Sequence, residues 1–62
     1  MSHLFSEIKK RRKSLKITQE KLALVIGVSV KTIQRIESGD TSVTFSNLQA
    51  TCEALGMKIT IS

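Results

Sequence analysis

The chain contains no proline, so its three glycines, Gly27, Gly39 and Gly56, are left to punctuate it. A residue that enters the left-handed backbone region without steric cost commonly stops a helix, and these three divide the sequence into segments of helical length. Between them the apolar residues recur at intervals of three and four, the spacing of one helix face. Residues 3–16 carry Leu4, Phe5, Ile8 and Leu15 and hold no helix breaker, which predicts a first helix over that span. Thr18 offers an N-cap oxygen for a second, two-turn helix whose Leu22, Ala23 and Ile26 share a face before Gly27. Ser29 is the cap candidate for a third helix beginning at Val30, with Val28 just before the cap and Ile33 four residues after it, placed as a hydrophobic staple. Ile33 and Ile36 then turn inward, and the helix ends near Ser38 with Gly39 as its left-handed cap. Residues 40–44, DTSVT, are turn formers. After them Phe45, Leu48, Cys52 and Leu55 predict a fourth helix ended by Gly56, with Phe45 and Leu48 as core candidates.

The last six residues change rhythm. Met57, Ile59 and Ile61 alternate with Lys58, Thr60 and Ser62, the two-residue period of a half-buried strand. A strand without a partner is not stable in water, so this segment is either a frayed end or a strand paired with another chain. The organisation expected is an all-α domain over residues 1–56, followed by a short C-terminal β-strand or tail over residues 57–62.

Size and charge narrow the function. A chain of 62 residues closes one core, burying only about 60% of its unfolded surface. One cysteine excludes an intrachain disulfide, and no His/Cys spacing suits a zinc ion, so added stability would come from a second subunit. No apolar run reaches the roughly 18 residues of a membrane span, and no secretory signal is present; a cytoplasmic protein without a membrane partner is expected. Net charge is +5, yet nine of the ten Lys/Arg lie in residues 1–35 with only Glu7 and Glu20 to oppose them. Such a basic half is the footprint of a polyanion partner, although a run such as KKRRK is also an ordinary solvated helix face. His3 stands alone, Cys52 repeats with the core face, and there is no carboxylate pair or Gly-rich phosphate loop, so no enzyme, cofactor or metal is expected. The two aromatics, Phe5 and Phe45, fall at core positions, which argues against base stacking on RNA or single strands.

Two short helices joined by a glycine turn, the second presenting polar groups outward, form a helix-turn-helix arrangement. The stretch ITQEKLALVIGVSVKTIQRIESG, residues 17–39, closely resembles the Cro and phage-repressor type of helix-turn-helix domain, the xenobiotic-response-element-like family. Thr18-Gln19, Leu22-Ala23, Gly27-Val28-Ser29, Ile33, Ile36-Glu37 and Gly39 match that pattern position by position, and the likeness extends from about Ile8 to Gly56. The resemblance implies a small lambda-repressor-like fold of about four helices. It also implies a sequence-specific, double-stranded DNA-binding transcriptional regulator, a repressor that inserts its third helix in the major groove as a homodimer on a pseudo-palindromic operator.

With Ile33, Ile36 and Glu37 inward, the third helix turns two columns outward, Val30 with Gln34 and Lys31 with Arg35. Together with Ser29 these are the candidate base contacts: a valine can pack on a thymine methyl, and Lys31 or Arg35 can reach guanine O6 and N7. Candidate phosphate contacts are Thr18, Gln19, Lys21, Thr32, Thr41 and Ser42. The resemblance makes Gln19 a bridge between phosphate backbone and recognition helix, and the free N–H groups of a helix start suit a phosphate in any case. One departure is Asp40-Thr41-Ser42, where many such repressors carry basic residues; the hydroxyls and amides of Thr41 and Ser42 would have to substitute.

Two charges sit on or beside apolar stripes, Arg12 four residues after Ile8 and Glu37 four after Ile33. Either Arg12 snorkels out with the basic run, or an Arg12–Glu37 ion pair between the first and third helices satisfies both. The resemblance implies the pair. For the tail, Met57, Ile59 and Ile61 are the candidate dimerisation residues, forming an intermolecular β-ribbon. Short domains with a terminal strand also occur among helix-turn-helix antitoxins, so the alternative is a protein-interaction module that binds a toxin or another protein through this fold. Leu24, opposite the core of the second helix, and Val25 at its edge would then supply an exposed docking patch.

Overall fold

Side-chain oxygens begin three of the helices, and left-handed residues end all four. The computed structural model of the chain describes residues 2–57, with side chains from Leu4 onward. It contains α1 (Ser2–Ser14), α2 (Gln19–Ile26), α3 (Val30–Ser38) and α4 (Phe45–Ala54), and no strand among the described residues. Thr18 Oγ1 accepts the Lys21 N–H at 3.0 Å, Ser29 Oγ the Thr32 N–H at 3.2 Å and Thr44 Oγ1 the Asn47 N–H at 3.1 Å. Each hydroxyl satisfies an amide that the first helical turn leaves without a backbone acceptor.

At the C-terminal ends the chain closes by a bond reaching back five residues. Ile17 N donates to Arg12 O, Val28 N to Ala23 O, Asp40 N to Arg35 O and Met57 N to Cys52 O. This closure requires a left-handed residue just before the donor. Gly27, Gly39 and Gly56 occupy three of these positions with φ of 77°, 81° and 70°. The fourth belongs to Lys16, with φ of 58°. That residue corrects the expected first helix: α1 stops at Ser14, and Leu15 lies in the turn, 43% exposed, instead of continuing the apolar stripe.

The core is assembled from one face of each helix: Phe5 and Ile8; Leu22 and Ala23; Ile33 and Ile36; Leu48, Cys52 and Leu55. α3 packs against both α1 and α2, and α2 also packs against α4. Phe45, expected in this core, is 51% exposed. It is the first residue of α4, at the edge of a stripe whose centre runs through Leu48, Thr51, Cys52 and Leu55. Thr51 is fully buried in its place, with Oγ1 donating to Asn47 O at 2.8 Å. Met57 packs against the core. The remainder of the expected terminal strand, including Ile59 and Ile61, lies outside the described residues.

One buried charged contact joins these helices. Arg12 Nε donates to Glu37 Oε2 at 2.6 Å and a terminal guanidinium nitrogen donates to Oε1 at 3.2 Å, with side-chain exposures of 9% and 4%. The other terminal nitrogen of Arg12 donates to Ile17 O at 2.7 Å, fastening the turn after α1. Arg12 therefore turns inward and does not snorkel. Burial pushes the Glu37 carboxyl up, but hydrogen bonds from Arg12 and Gln19 and the charges of Arg12 and Lys9 outweigh it and hold it below the usual glutamate range.

Three outcomes follow from this architecture. Lys16→Gly should raise stability by about 1 kcal/mol in urea melts, by removing a β-carbon from a left-handed position. Glu37→Leu alone should cost about 3–5 kcal/mol and leave a domain of this size largely unfolded, whereas Arg12→Met with Glu37→Leu should restore folding, because only the single change strands a buried charge. Since the folded Glu37 carboxyl titrates below its unfolded value near 4.3, its contribution is complete above that pH and lost as the pH falls through the folded value. Stability measured in melts at falling pH should drop in that acid window, and the Arg12→Met/Glu37→Leu double variant should drop less.

Candidate nucleic-acid interface

The turn at residues 27–29 sets α3 against α2, and what α3 then leaves in solvent is decided by which residues the core takes. Ile33 and Ile36 are fully buried and Glu37 is tied to Arg12, so Lys31, Gln34, Arg35 and Ser38 are left exposed along the opposite side. Val30, expected in the outward column with Gln34, instead lies half-buried against the core. On the wheel it sits next to Glu37, nearer the apolar stripe than Gln34 does. The exposed side of α3 is thus narrower than the sequence pattern indicated and more basic, with Lys31 and Arg35 in one column beside Gln34.

Ser29 is exposed at the start of α3, but its hydroxyl is occupied. It accepts the Thr32 N–H and lies 3.1 Å from the Thr32 hydroxyl, one of the two donating to the other. Ser29 and Thr32 therefore form a small cap unit at the N-terminus of the recognition helix, and any contact with a base or phosphate uses only their remaining capacity. Thr18 and Lys21 are exposed at the start of α2, where the Thr18 hydroxyl is likewise engaged as the cap.

Gln19 is half-buried beside them. Its Nε2 donates to Glu37 Oε1 at 3.1 Å, so it meets the recognition helix at the ion pair and not at a base-reading residue. Sequence reasoning placed Gln19 at the interface but had no signal for this partner, since the contact spans 18 positions and depends on the angle between α2 and α3.

The turn after α3 departs from expectation in one respect. Ser42 N–H, counted on as a phosphate donor, already donates to Asp40 Oδ1 at 2.8 Å and the Ser42 hydroxyl is turned to the same carboxylate, leaving the exposed Thr41 as the freer of the two for that task. The hydrogen bonds from Ser42 hold the Asp40 carboxyl below the usual aspartate range, with Arg35 adding to the effect. A negative charge is therefore fixed at the end of the recognition helix.

The basic run 9–13 divides between the interior and solvent. Arg12 goes to Glu37, and Arg11 Nε donates to Leu55 O at 3.0 Å, closing the end of α4. Lys9, Lys10 and Lys13 remain exposed, Lys10 within 3.9 Å of Glu7. Burial pushes the Cys52 thiol up, consistent with packing and not with reactivity. Among the described residues no cluster of three or more His, Cys, Asp and Glu could hold a metal ion, and no helix is long and apolar enough to cross a membrane.

A protein-family model described as helix-turn-helix matches residues 8–61. No curated protein matches the chain. The matched span takes in α2, the turn and α3, together with the Arg12 and Glu37 that join α1 to α3. The chain belongs to the Cro and phage-repressor type, the xenobiotic-response-element family, of DNA-binding helix-turn-helix domains.

Proposed function

We propose that this domain is a sequence-specific transcriptional repressor that places α3 in the major groove of duplex DNA as a homodimer on a pseudo-palindromic operator. The observation that supports this reading best is the exposed Lys31, Gln34 and Arg35, carried on a helix whose other face is locked into the core. Lys31 and Arg35 would donate to guanine O6 and N7, Gln34 would read adenine or hold a phosphate, and Ser29 and Val30 would border the groove at the helix start. Thr18, Gln19, Lys21 and Thr32 would lie along one phosphate backbone, with Thr41 and Ser42 on the other flank. Two copies would space their recognition helices by about 34 Å, one turn of DNA. The alternation of Met57, Ile59 and Ile61 supports the tail as the contact between them.

A second reading rests on Leu24 and Val25, which are 75% and 60% exposed on α2. They fit an antitoxin or other interaction module that engages a protein partner. Duplex binding discriminates the two, because neutralising each phosphate contributes roughly −0.9 to the slope of log affinity against log salt.

Selection from a random duplex library at near-physiological salt should enrich a two-fold-related motif. Lys31→Ala and Arg35→Ala should each cost about 1–3 kcal/mol on it and relax the preference at one position per half-site. No enriched motif would favour the interaction module. Asp40→Asn keeps the acceptor for the Ser42 amide while removing the charge, so affinity should rise several-fold at low salt and converge on the unaltered protein at high salt. Deleting residues 58–62 should convert dimer to monomer in sedimentation, and an unchanged mass would remove the tail from the dimer contact.

A further inference from the structure

Glu37 Oε1 accepts two hydrogen bonds at once, from Arg12 at 3.2 Å and from Gln19 Nε2 at 3.1 Å. An ionised carboxylate has no hydrogen to give, so the Gln19 amide must turn its nitrogen, not its oxygen, toward Glu37. Because the amide is planar, committing one of its two N–H groups also fixes the direction of the second. Gln19 is the first residue of α2, next to the Thr18 cap, and the backbone N–H groups of that first turn have no acceptor within the helix. Thr18 Oγ1 takes the Lys21 N–H, so a phosphate at the start of α2 would meet the remaining amides of Gln19 and Glu20 together with the second Nε2 hydrogen.

We propose that Glu37 is a positioning residue for DNA binding: from within its buried ion pair with Arg12, it holds the Gln19 amide in the one orientation that leaves an N–H free for a backbone phosphate at the start of α2. The ion pair then has two tasks, joining α1 to α3 and presetting a donor on α2. The inference rests on the DNA-binding reading above and adds to it a residue that touches no DNA. An amide left free at this position would have to be ordered by the phosphate itself, and part of the affinity would be lost in ordering it.

The test is a cycle of variants on the selected operator, with melts recording the folded fraction of each. In the unaltered background Gln19→Ala should weaken binding roughly tenfold, as expected for one hydrogen bond to a charged group, and should leave the salt slope unchanged, because the amide is neutral and releases no counterion. In the Arg12→Met/Glu37→Leu background, which removes the acceptor, binding should already be weakened and Gln19→Ala should change it less than about twofold. Arg12→Met/Glu37→Gln restores an amide oxygen for Gln19 and should recover most of the sensitivity to Gln19→Ala, which a purely structural role for the pair would not produce. A Gln19→Ala effect equal in all three backgrounds overturns the positioning role while leaving DNA binding intact. Failure of the unaltered protein to bind any duplex overturns the DNA-binding reading and this inference with it. As a measurement independent of variant folding, the two Gln19 side-chain amide protons of the unaltered protein should respond unequally to added operator in NMR spectra, one held by Glu37 and one shifting with the phosphate; no response from either proton overturns the proposal.

Discussion

Two opposite charges with almost no contact with water, Arg12 and Glu37, form the joint on which the remaining geometry depends. Taking either from water is costly, and the cost is offset only when the geometry is good and the remaining donors are satisfied. Arg12 meets that condition: Nε and one terminal nitrogen reach Glu37, and the other reaches Ile17 O. Glu37 in turn takes Gln19. The network therefore links α1, the turn after it, the first residue of α2 and the last turn of α3. An apolar pair could fill the same space, but dispersion contacts tolerate sliding, whereas a forked guanidinium–carboxylate pair has one preferred plane. Such a contact constrains how α3 is held as well as whether it is held.

The rest of the scaffold serves the same end by shortening the connections. Each helix stops on a left-handed residue, and the helices α2, α3 and α4 start directly from a capping hydroxyl. Between α2 and α3 only residues 27–29 intervene, one a left-handed glycine, one partly packed on the core and one a cap. Little freedom remains in that turn, so the exposed side of α3 is carried as a rigid surface. Rigidity there matters because base edges are read by hydrogen bonds whose geometry tolerates little misplacement.

Charge is distributed less simply than the composition indicates. The five-residue basic run looks like a uniform cationic face, yet Arg12 is buried and Arg11, though exposed, is tied through Nε to the end of α4, so three lysines are what it leaves unengaged by the α3 and α4 ends. Asp40 further lowers the positive potential at the far end of α3. Much of the net charge of +5 thus surrounds the domain instead of lining one groove.

Local chemistry was legible in the sequence. Helix faces follow from spacing, Thr18 and Ser29 declare themselves by the apolar periodicity that begins after them, and Gly27 and Gly39 mark stops because few other residues take a left-handed backbone cheaply. The four-helix order and the turn could be read from these signals, and the family from the resemblance carried by residues 17–39. What needed the tertiary structure was every feature set by where a neighbour stands. Lys16 carries no sequence signal for its left-handed turn; the ends of the core left Leu15 and Phe45 in solvent and drew Thr51 and part of Val30 inside. The amide of Gln19 was claimed by Glu37, 18 positions away, whereas the Ser42 amide was claimed by Asp40 two residues before it, a contact local to the turn. Periodicity is a property of one helix, but the limits of a core and the partner of a polar group are set by the angles between helices, and those exist only after the helices have packed.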